Sequence, residues 1–369
     1  MINKMHHTDE LILHLLKWYD SFGRELPWRQ KPKHHRNKKA AIQQVLGNPY
    51  FIWLSEIMLQ QTTVKTVIPY YNIFVKKWPT ISLLAKASLE DILVNWAGLG
   101  YYARAQNLHK CSRIISMDLN GNFPSSEAEL NKLPGIGPYT AAAISAIAFG
   151  LPTMAVDVNI ERVMARMYAV SQPLPKSKKK LSDLASGFIS NERPGDVLQA
   201  LMDLGATICK PQKPLCDLCP WAWSCRGLVI GSPANLPLKT PKLPIKQRFG
   251  YAFWIVRKDG AILLRRRPDN GMLGGMIEVT SSDWLENESM NIETMSYKPC
   301  LAEWKKLPGS VIHTFSHFRL NLTVYAAQID GRKLRGGSWY MREQFNKLAL
   351  PKLTQKIIEH VDSASQKVS

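Results

Sequence analysis

The chain has 369 residues, of which 45% are hydrophobic, and this length is enough for two or three domains that each bury a core. Its 48 Lys and Arg residues exceed its 29 Asp and Glu residues, which gives a formal net charge of +19. This surplus predicts binding to a polyanion, with nucleic acid as the first candidate. No apolar run approaches the ~20 residues that a membrane span needs, and the acidic residues near the N-terminus are not typical of a signal peptide. A reducing cytoplasm is therefore the expected location.

Apolar side chains recur at helix-like spacing almost throughout residues 1–227, with Pro and Gly between the runs. The first predicted helix covers 1–22 and is amphipathic, with an apolar stripe of Leu11, Leu15, Trp18 and Phe22. A low-complexity stretch follows at 30–39, where five Lys or Arg and two His occur without an acid. It is predicted to be a basic loop that either contacts DNA or is only solvated.

Glu56 is a carboxylate within an apolar helical run at 52–59. It is either desolvated and functional, or exposed on a helix that buries a different stripe. Desolvation raises the pKa of a carboxyl group and makes it a usable general acid near neutral pH.

The segment 133–149, LPGIGPYTAAAISAIAF, predicts a tight turn between a short helix at 126–132 and an Ala-rich helix that begins at Pro138. The glycines of this turn, Gly135 and Gly137, would expose backbone N–H groups that can bind a phosphate. Asp157 precedes a further predicted helix at 160–168. It could be a plain helix cap, and the same ionised carboxylate could also stabilise a cationic sugar.

Four cysteines follow in the pattern C-x6-C-x2-C-x5-C: Cys209, Cys216, Cys219 and Cys225. This clustering indicates a metal site and not a disulfide framework. Four thiolates without a histidine fit a 4Fe–4S cluster or an all-cysteine zinc site. Unliganded cysteines in a core are disfavoured, because the residues between them include lysines and prolines. No role is predicted for Cys111 and Cys300.

The composition changes at 228–247, where four prolines and no acid predict an interdomain linker. The apolar period then becomes two, and the turn Asp259-Gly260 predicts a hairpin into 261–264. The alternation returns at 320–324. These patterns predict a smaller α+β domain at 248–362, followed by a disordered tail at 363–369.

Several motifs together resemble the adenine DNA glycosylases of the MutY family: LPWR (26–29), SEIMLQQT (55–62), GLGYYARA (98–105), MDLGA (202–206) and the four cysteines. The resemblance covers 1–227 densely and resumes in 248–362, where the family carries a Nudix-like domain. It implies a multi-domain fold in which an all-α helix-hairpin-helix glycosylase core with an iron–sulfur cluster loop (209–225) precedes the α+β Nudix-like domain. The metal-binding run of true Nudix hydrolases is absent, which favours recognition over phosphohydrolysis.

The resemblance also implies an activity, a cofactor and partners. The protein would be a monofunctional hydrolase of base excision repair that removes adenine mispaired with 8-oxoguanine or guanine in duplex DNA. It would be a monomer with a 4Fe–4S cluster, associated with DNA in a bacterial cytoplasm and not with a membrane. Two alternatives stay open: a bifunctional pyrimidine DNA glycosylase/lyase and a non-catalytic DNA-binding module.

Residue roles follow from the same resemblance. Glu56 would protonate the flipped adenine, and Asp157 would stabilise the oxocarbenium ion as an ion pair or a transient covalent bond. Tyr139 stands where bifunctional relatives place lysine, so no imine can form. The remaining implied residues are grouped by role: Tyr139 and Asn159 assist catalysis; Arg24, Leu26, Trp28, Val64 and Asp203 line the adenine pocket; Gln61, Thr62, Leu99 and Tyr101 lie beside the opposite base; Phe315, Ser316 and His317 contact 8-oxoguanine; Gly135 and Gly137 bind the DNA backbone; Cys209, Cys216, Cys219 and Cys225 bind the cluster. Val158 departs from the family, which usually has glycine there.

Overall fold

The computed structural model describes residues 2–29, 47–241, 244–286, 298–330, 334 and 336–366. The predicted basic loop at 30–39 lies outside the described residues. Backbone contacts divide the chain into unit 1 (1–86 and 107–241) and unit 2 (87–106 and 242–369). The domain boundaries inferred from the sequence, which assign 87–106 to the helical part, stay a prediction.

Helices form nearly all of the regular structure before residue 230: α1 Ile2–Phe22, α2 Pro49–Leu59, α3 Val64–Lys77, α4 Ile81–Lys86, α5 Leu89–Trp96, α6 Ala103–Met117, α7 Glu127–Leu130, α8 Pro138–Phe149, α9 Val158–Met167, α10 Lys178–Ser186, α11 Pro194–Asp203 and α12 Arg226–Val229. Polar side chains accept N–H groups in the first turns of α2, α3, α5 and α9: Asn48, Thr63, Ser88 and Asp157. The bounds of α7 and α8 confirm the helix–turn–helix predicted at 126–149. No helix in the described part of the chain is long and apolar enough to cross a bilayer.

The core of unit 1 lies where α1, α8, α9 and α11 meet. Helix α8 contributes buried alanines, and α11 approaches it so closely that a Cβ atom on Gly195 would lie 2.7 Å from the carbonyl oxygen of Ala146. Leu11 and Leu15 of α1 are buried as predicted, whereas Phe22 is 69% exposed and does not belong to the buried stripe. The stripe ends earlier because Phe22 is the last residue of its helix.

The C-terminal part of unit 2 is a mixed sheet backed by one helix: β1 Lys246–Arg257, β2 Ile262–Arg266, β3 Ile277–Glu278, β4 Lys305–Lys306, β5 Val311–Thr314, β6 Phe318–Ile329, β7 Ser338–Tyr340 and α13 Lys352–Gln366. The strand order is β3-β2-β1-β6-β4, with β5 paired to β6 and β7 paired to β2. Strands β1 and β6 are parallel and in register from Lys246↔Phe318 to Arg257↔Ile329. The helical part followed by this mixed sheet confirms the predicted fold class.

Both faces of the central strands are covered. Ala252 and Trp254 of β1 are buried in one cluster with Leu353 and Ile357 of α13, while Phe253, on the opposite face, is also buried. The predicted hairpin forms, because Gly260 adopts a φ of +87° between β1 and β2. Helix α13 reaches Gln366 and thus includes 363–366, which the sequence assigned to a disordered tail.

Candidate active site

A cavity of about 820 Å³ opens in unit 1. It is lined by the segment before residue 30, the end of α2, the start of α3 and the first turns of α8 and α9. Ten residues singled out from the sequence line it: Arg24, Leu26, Trp28, Glu56, Gln61, Thr62, Val64, Tyr139, Asp157 and Asn159. The cavity therefore brings together side chains that lie more than one hundred positions apart.

Glu56 lies on α2, which is buried on almost every side. The side chain is only 7% exposed, which answers the question that the sequence left open. Burial raises the pKa of Glu56 to about 7; the nearby Arg29 guanidinium opposes this shift, and the negative charge of Asp157 adds to it. A large share of this carboxyl group therefore carries a proton at neutral pH.

Asp157 caps α9 as predicted. Its Oδ1 accepts the N–H groups of Asn159 (2.9 Å) and Ile160 (2.8 Å), and its Oδ2 accepts Nδ2 of Asn159 (2.7 Å). These donors fix the carboxylate at the cavity wall. Val158 is the first residue of α9 and is 69% exposed, so a helical backbone accepts valine where the family usually has glycine.

Tyr139 lies in the first turn of α8 and lines the same cavity. Burial raises the pKa of its hydroxyl well above the ordinary value, and the negative charges of Glu56 and Asp157 raise it further. The phenol therefore stays neutral and can donate a hydrogen bond, but it offers no amine for an imine.

Asp203 lies behind the cavity wall and is fully buried. It accepts Nε of Arg24 (2.6 Å), the backbone N–H of Arg24 (2.8 Å) and Nη1 of Arg29 (2.7 Å). Asp203 therefore does not line the cavity, contrary to what the resemblance implied. It instead holds Arg24 and Arg29, which do line it. Arg29 was not singled out from the sequence, although it is the last residue of the motif LPWR.

Hydrogen bonds connect Asp157 to the cysteine loop. Oδ1 of Asn159 accepts Nη2 of Arg162 (2.8 Å), and Nε of Arg162 donates to the carbonyl oxygen of Cys209 (2.7 Å). Nη2 of Arg162 also donates to the carbonyl oxygen of Gly205 (2.7 Å) in the π-helical turn Leu204–Ile208. Gly205 is required there, because a Cβ atom would lie 2.6 Å from Cβ of Asn159.

The four predicted metal-binding cysteines line one small hollow, together with Ile208, Pro214, Leu215 and Leu228. Within the described residues, no three His, Cys, Asp or Glu side chains form a ready-made site for a metal ion. Nη1 of Arg166 donates to Sγ of Cys209 (3.3 Å). Burial raises the pKa of Cys219 to about 12, so a thiolate at this position requires a compensating cation. Four thiols, apolar walls and an N–H donor to sulfur fit an iron–sulfur group.

The turn at 135–137 has the backbone expected for phosphate binding. Gly135 has a φ of +80°, and a Cβ atom there would lie 2.9 Å from Cβ of Asn107. Both the backbone conformation and the lack of space therefore require glycine. Gly137 is the N-cap residue of α8 and makes no side-chain hydrogen bond to the helix. The first N–H groups of α8 therefore lack a side-chain acceptor, and an anion can bind them.

The remaining predicted residues lie in unit 2. The hydroxyl groups of Tyr101 and Ser316 are 2.8 Å apart, although 215 positions separate them. Ser316 lies in the turn between β5 and β6, next to the exposed His317. Phe315 anchors that turn by stacking on Trp284, with ring centroids 5.5 Å apart.

Tyr101 has a φ of +49°. The loop that contains it is held by hydrogen bonds from Arg104. The buried Arg104 donates Nη2 to the carbonyl oxygens of Leu99 and Gly100, each at 3.2 Å, and its guanidinium lies 5.5 Å from the Tyr101 ring centroid. Leu99 is buried beneath the same loop. Arg104 was not singled out from the sequence, although it belongs to the motif GLGYYARA.

The chain matches two family models and several characterised proteins. Residues 54–187 match the HhH-GPD superfamily of base excision DNA repair proteins, and residues 251–360 match the NUDIX domain. The chain is 34% identical to human adenine DNA glycosylase over 403 residues, covering 93% of this chain and 72% of the human protein. It is 31% identical over 360 residues to adenine DNA glycosylase of Buchnera aphidicola subsp. Schizaphis graminum, covering 94% of this chain and 96% of that protein. The solved structure of a thermostable thymine-DNA glycosylase is 29% identical, with a TM-score of 0.51 over 62% of this chain and 99% of that one.

Proposed function

Because this chain belongs to the adenine DNA glycosylase family, we propose that it removes adenine paired with 8-oxoguanine or guanine in duplex DNA. It is a hydrolase of N-glycosyl bonds that acts in base excision repair. The observation that carries the proposal is the pairing of a buried, protonated acid, Glu56, with a capped carboxylate, Asp157, on one cavity.

The cavity sets the order of events. Adenine inside a duplex cannot reach Glu56, so the nucleotide must be flipped out into the cavity. Adenine is a poor leaving group until it is protonated. Glu56 donates that proton, since burial raises its pKa to about 7 and thus keeps a large share of its carboxyl groups protonated near neutral pH.

Asp157 acts when the glycosidic bond breaks. The sugar develops positive charge, and the carboxylate held by Asn159 and Ile160 stabilises it either as an ion pair or through a transient covalent bond. Water then attacks the sugar. Tyr139 contributes a neutral hydroxyl to the same wall and cannot form an imine, so we expect hydrolysis without strand cleavage.

We assign a 4Fe–4S cluster to Cys209, Cys216, Cys219 and Cys225. Bound there, it would supply a rigid anchor for the loop rather than a reacting group. Arg166 donates to the Cys209 sulfur, and the indole Nε1 of Trp221 in the same loop donates to the carbonyl oxygen of Leu11 (2.8 Å). Purified protein should be brown and contain iron and sulfide; one stoichiometric zinc in a colourless protein would overturn the assignment. Cys111 and Cys300 should be dispensable.

We further propose that unit 2 reads the base opposite the adenine. Relative to guanine, 8-oxoguanine has a donor at N7 and an added acceptor at O8. A serine hydroxyl can donate and accept, so the exposed Ser316 suits this edge. Tyr101, whose hydroxyl group is hydrogen-bonded to that of Ser316, is positioned to share the contact.

One experiment separates this proposal from its alternatives. The protein is incubated with duplex DNA containing adenine opposite 8-oxoguanine, and the products are resolved with and without alkali. We expect strand breaks only after alkali. Breaks without alkali, together with efficient borohydride trapping, would indicate a bifunctional glycosylase/lyase. The absence of breaks under both conditions would indicate a DNA-binding module.

Action as a monomer in a reducing cytoplasm completes the proposal.

A further inference from the structure

Two charged residues on the rim of the cavity have no role in the chemistry described above. Lys178 is the first residue of α10, and Glu161 lies in the first turn of α9. Both line the 820 Å³ cavity, and Nζ of Lys178 lies 4.0 Å from Oε1 of Glu161. The Lys178 side chain is 65% exposed and that of Glu161 only 12% exposed. The ammonium group of the lysine is therefore accessible to a ligand, whereas the glutamate is largely shielded from solvent.

The charges around the cavity show why this lysine matters. Among the described lining residues, acidic and basic side chains are equal in number: Glu56, Asp157 and Glu161 against Arg24, Arg29 and Lys178. Both guanidinium groups are bound to the buried carboxylate of Asp203. A nucleotide that enters brings a phosphate on each side of its sugar, and these phosphates meet a wall that also carries Asp157 and Glu161. Lys178 is the lining cation, within the described residues, that Asp203 does not hold.

We propose that Lys178 binds a phosphate beside the flipped nucleotide, and that Glu161 holds the lysine on the rim in the free protein. An ion pair with atoms 4.0 Å apart at an exposed lysine is weak and readily exchanged for a phosphate contact. Lys178 is thus a positioning residue that keeps the sugar of the flipped nucleotide against Asp157. The proposal rests on the glycosylase function and does not depend on which base lies opposite the adenine.

Salt dependence provides the test. The affinity of the full-length protein for duplex DNA that carries an uncleavable abasic-site analogue opposite guanine is measured over a series of salt concentrations. Each phosphate contact contributes about −0.9 to the slope of log affinity against log salt. Lys178→Ala should lower the magnitude of that slope by about 0.9, and Lys178→Arg should restore it. Lys179→Ala is the matched control, because Lys179 is the next residue of α10, is exposed and does not line the cavity.

Glu161→Gln tests whether Glu161 competes with phosphate for Lys178 or is only needed for the structure of the rim. Removal of the competing carboxylate should tighten binding about two- to fivefold at low salt and leave the slope unchanged. Because Lys178 is proposed to hold the sugar against Asp157, Lys178→Ala should also lower single-turnover excision at saturating enzyme, and Lys178→Arg should restore it. An unchanged slope for Lys178→Ala, an equal loss for Lys179→Ala, or weaker binding by Glu161→Gln would overturn the proposal. Because the probe lacks 8-oxoguanine, these outcomes are independent of the proposed mispair.

Discussion

The cavity of unit 1 and the turn at 315–317 of unit 2 use polar side chains under opposite conditions of solvent exposure. At the cavity, Glu56 on the wall and Asp203 behind it are almost completely buried, and Asp157 is held by three donors. In the turn, Ser316 and His317 are exposed, and only Phe315 is packed. Acid catalysis needs a carboxyl group that burial keeps protonated, whereas recognition of a base edge needs groups that the base can reach.

The largest effect should come from the buried acid. Glu56→Gln keeps the size of the side chain and removes its proton, so we expect DNA binding to persist and single-turnover excision of adenine to fall by about 10²- to 10⁴-fold. Glu127→Gln, a change at an exposed glutamate of the same unit, is the control and should leave the rate unchanged. Near-normal excision by Glu56→Gln would remove this residue from the mechanism.

A change in the exposed turn should affect selectivity and not chemistry. Ser316→Ala combined with His317→Ala should reduce the preference for adenine opposite 8-oxoguanine over adenine opposite guanine by about 1–3 kcal/mol, the usual value of a base-edge contact. Affinities for the two duplexes are compared by titration, and the single-turnover rate at saturating enzyme should stay close to that of the wild type. If the affinity ratio is retained in full, Ser316 only stabilises its turn.

The link between Asp157 and the cysteine loop should have an intermediate effect. Arg162→Gln removes the donors to Asn159, Gly205 and Cys209, which leaves Asn159 free to rotate away from Asp157. We expect an about tenfold lower single-turnover rate, because small misplacements of catalytic groups are costly, together with a lower melting temperature. Arg113→Gln, at an exposed arginine, controls for the loss of a positive charge. A normal rate with a lowered melting temperature would show that the link is only structural.

The smallest effect concerns pH. With the pKa of Glu56 at about 7, the protonated fraction falls about fivefold between about pH 7 and about pH 8, and the single-turnover rate should fall with it. The same shift has a consequence for stability. The folded-state pKa exceeds that of the unfolded chain, so the stabilising contribution is complete below about pH 4 and is lost as the pH rises through about 7. Glu56→Gln should remove this part of the pH dependence of the unfolding free energy. A rate that stays flat across this range would exclude Glu56 as the proton donor.

Local sequence patterns predicted the family and the fold class, and both predictions are confirmed. Glu56 could be singled out because a lone carboxylate within an apolar helical run is unusual, but only the fold decided that it is buried and not exposed. The cap at Asp157, the turn at 135–137 and the hairpin at 259–260 also depend on neighbouring residues, whose backbone preferences are local. The side chains that sequence reasoning missed, including Arg29 and Arg104, lie within quoted motifs, but nothing in their immediate neighbours shows what they bind.

The tertiary structure alone decided where the long-range partners meet. Asp203 lies 179 positions from Arg24, Cys209 lies 47 positions from Arg162, and Ser316 lies 215 positions from Tyr101. Hydrogen bonds and ion pairs of this kind depend on the packing of whole helices and strands, which no local spacing encodes. The same reason places Asp203 behind the cavity wall instead of on it, since its buried charge needs the two arginines that the fold brings to it.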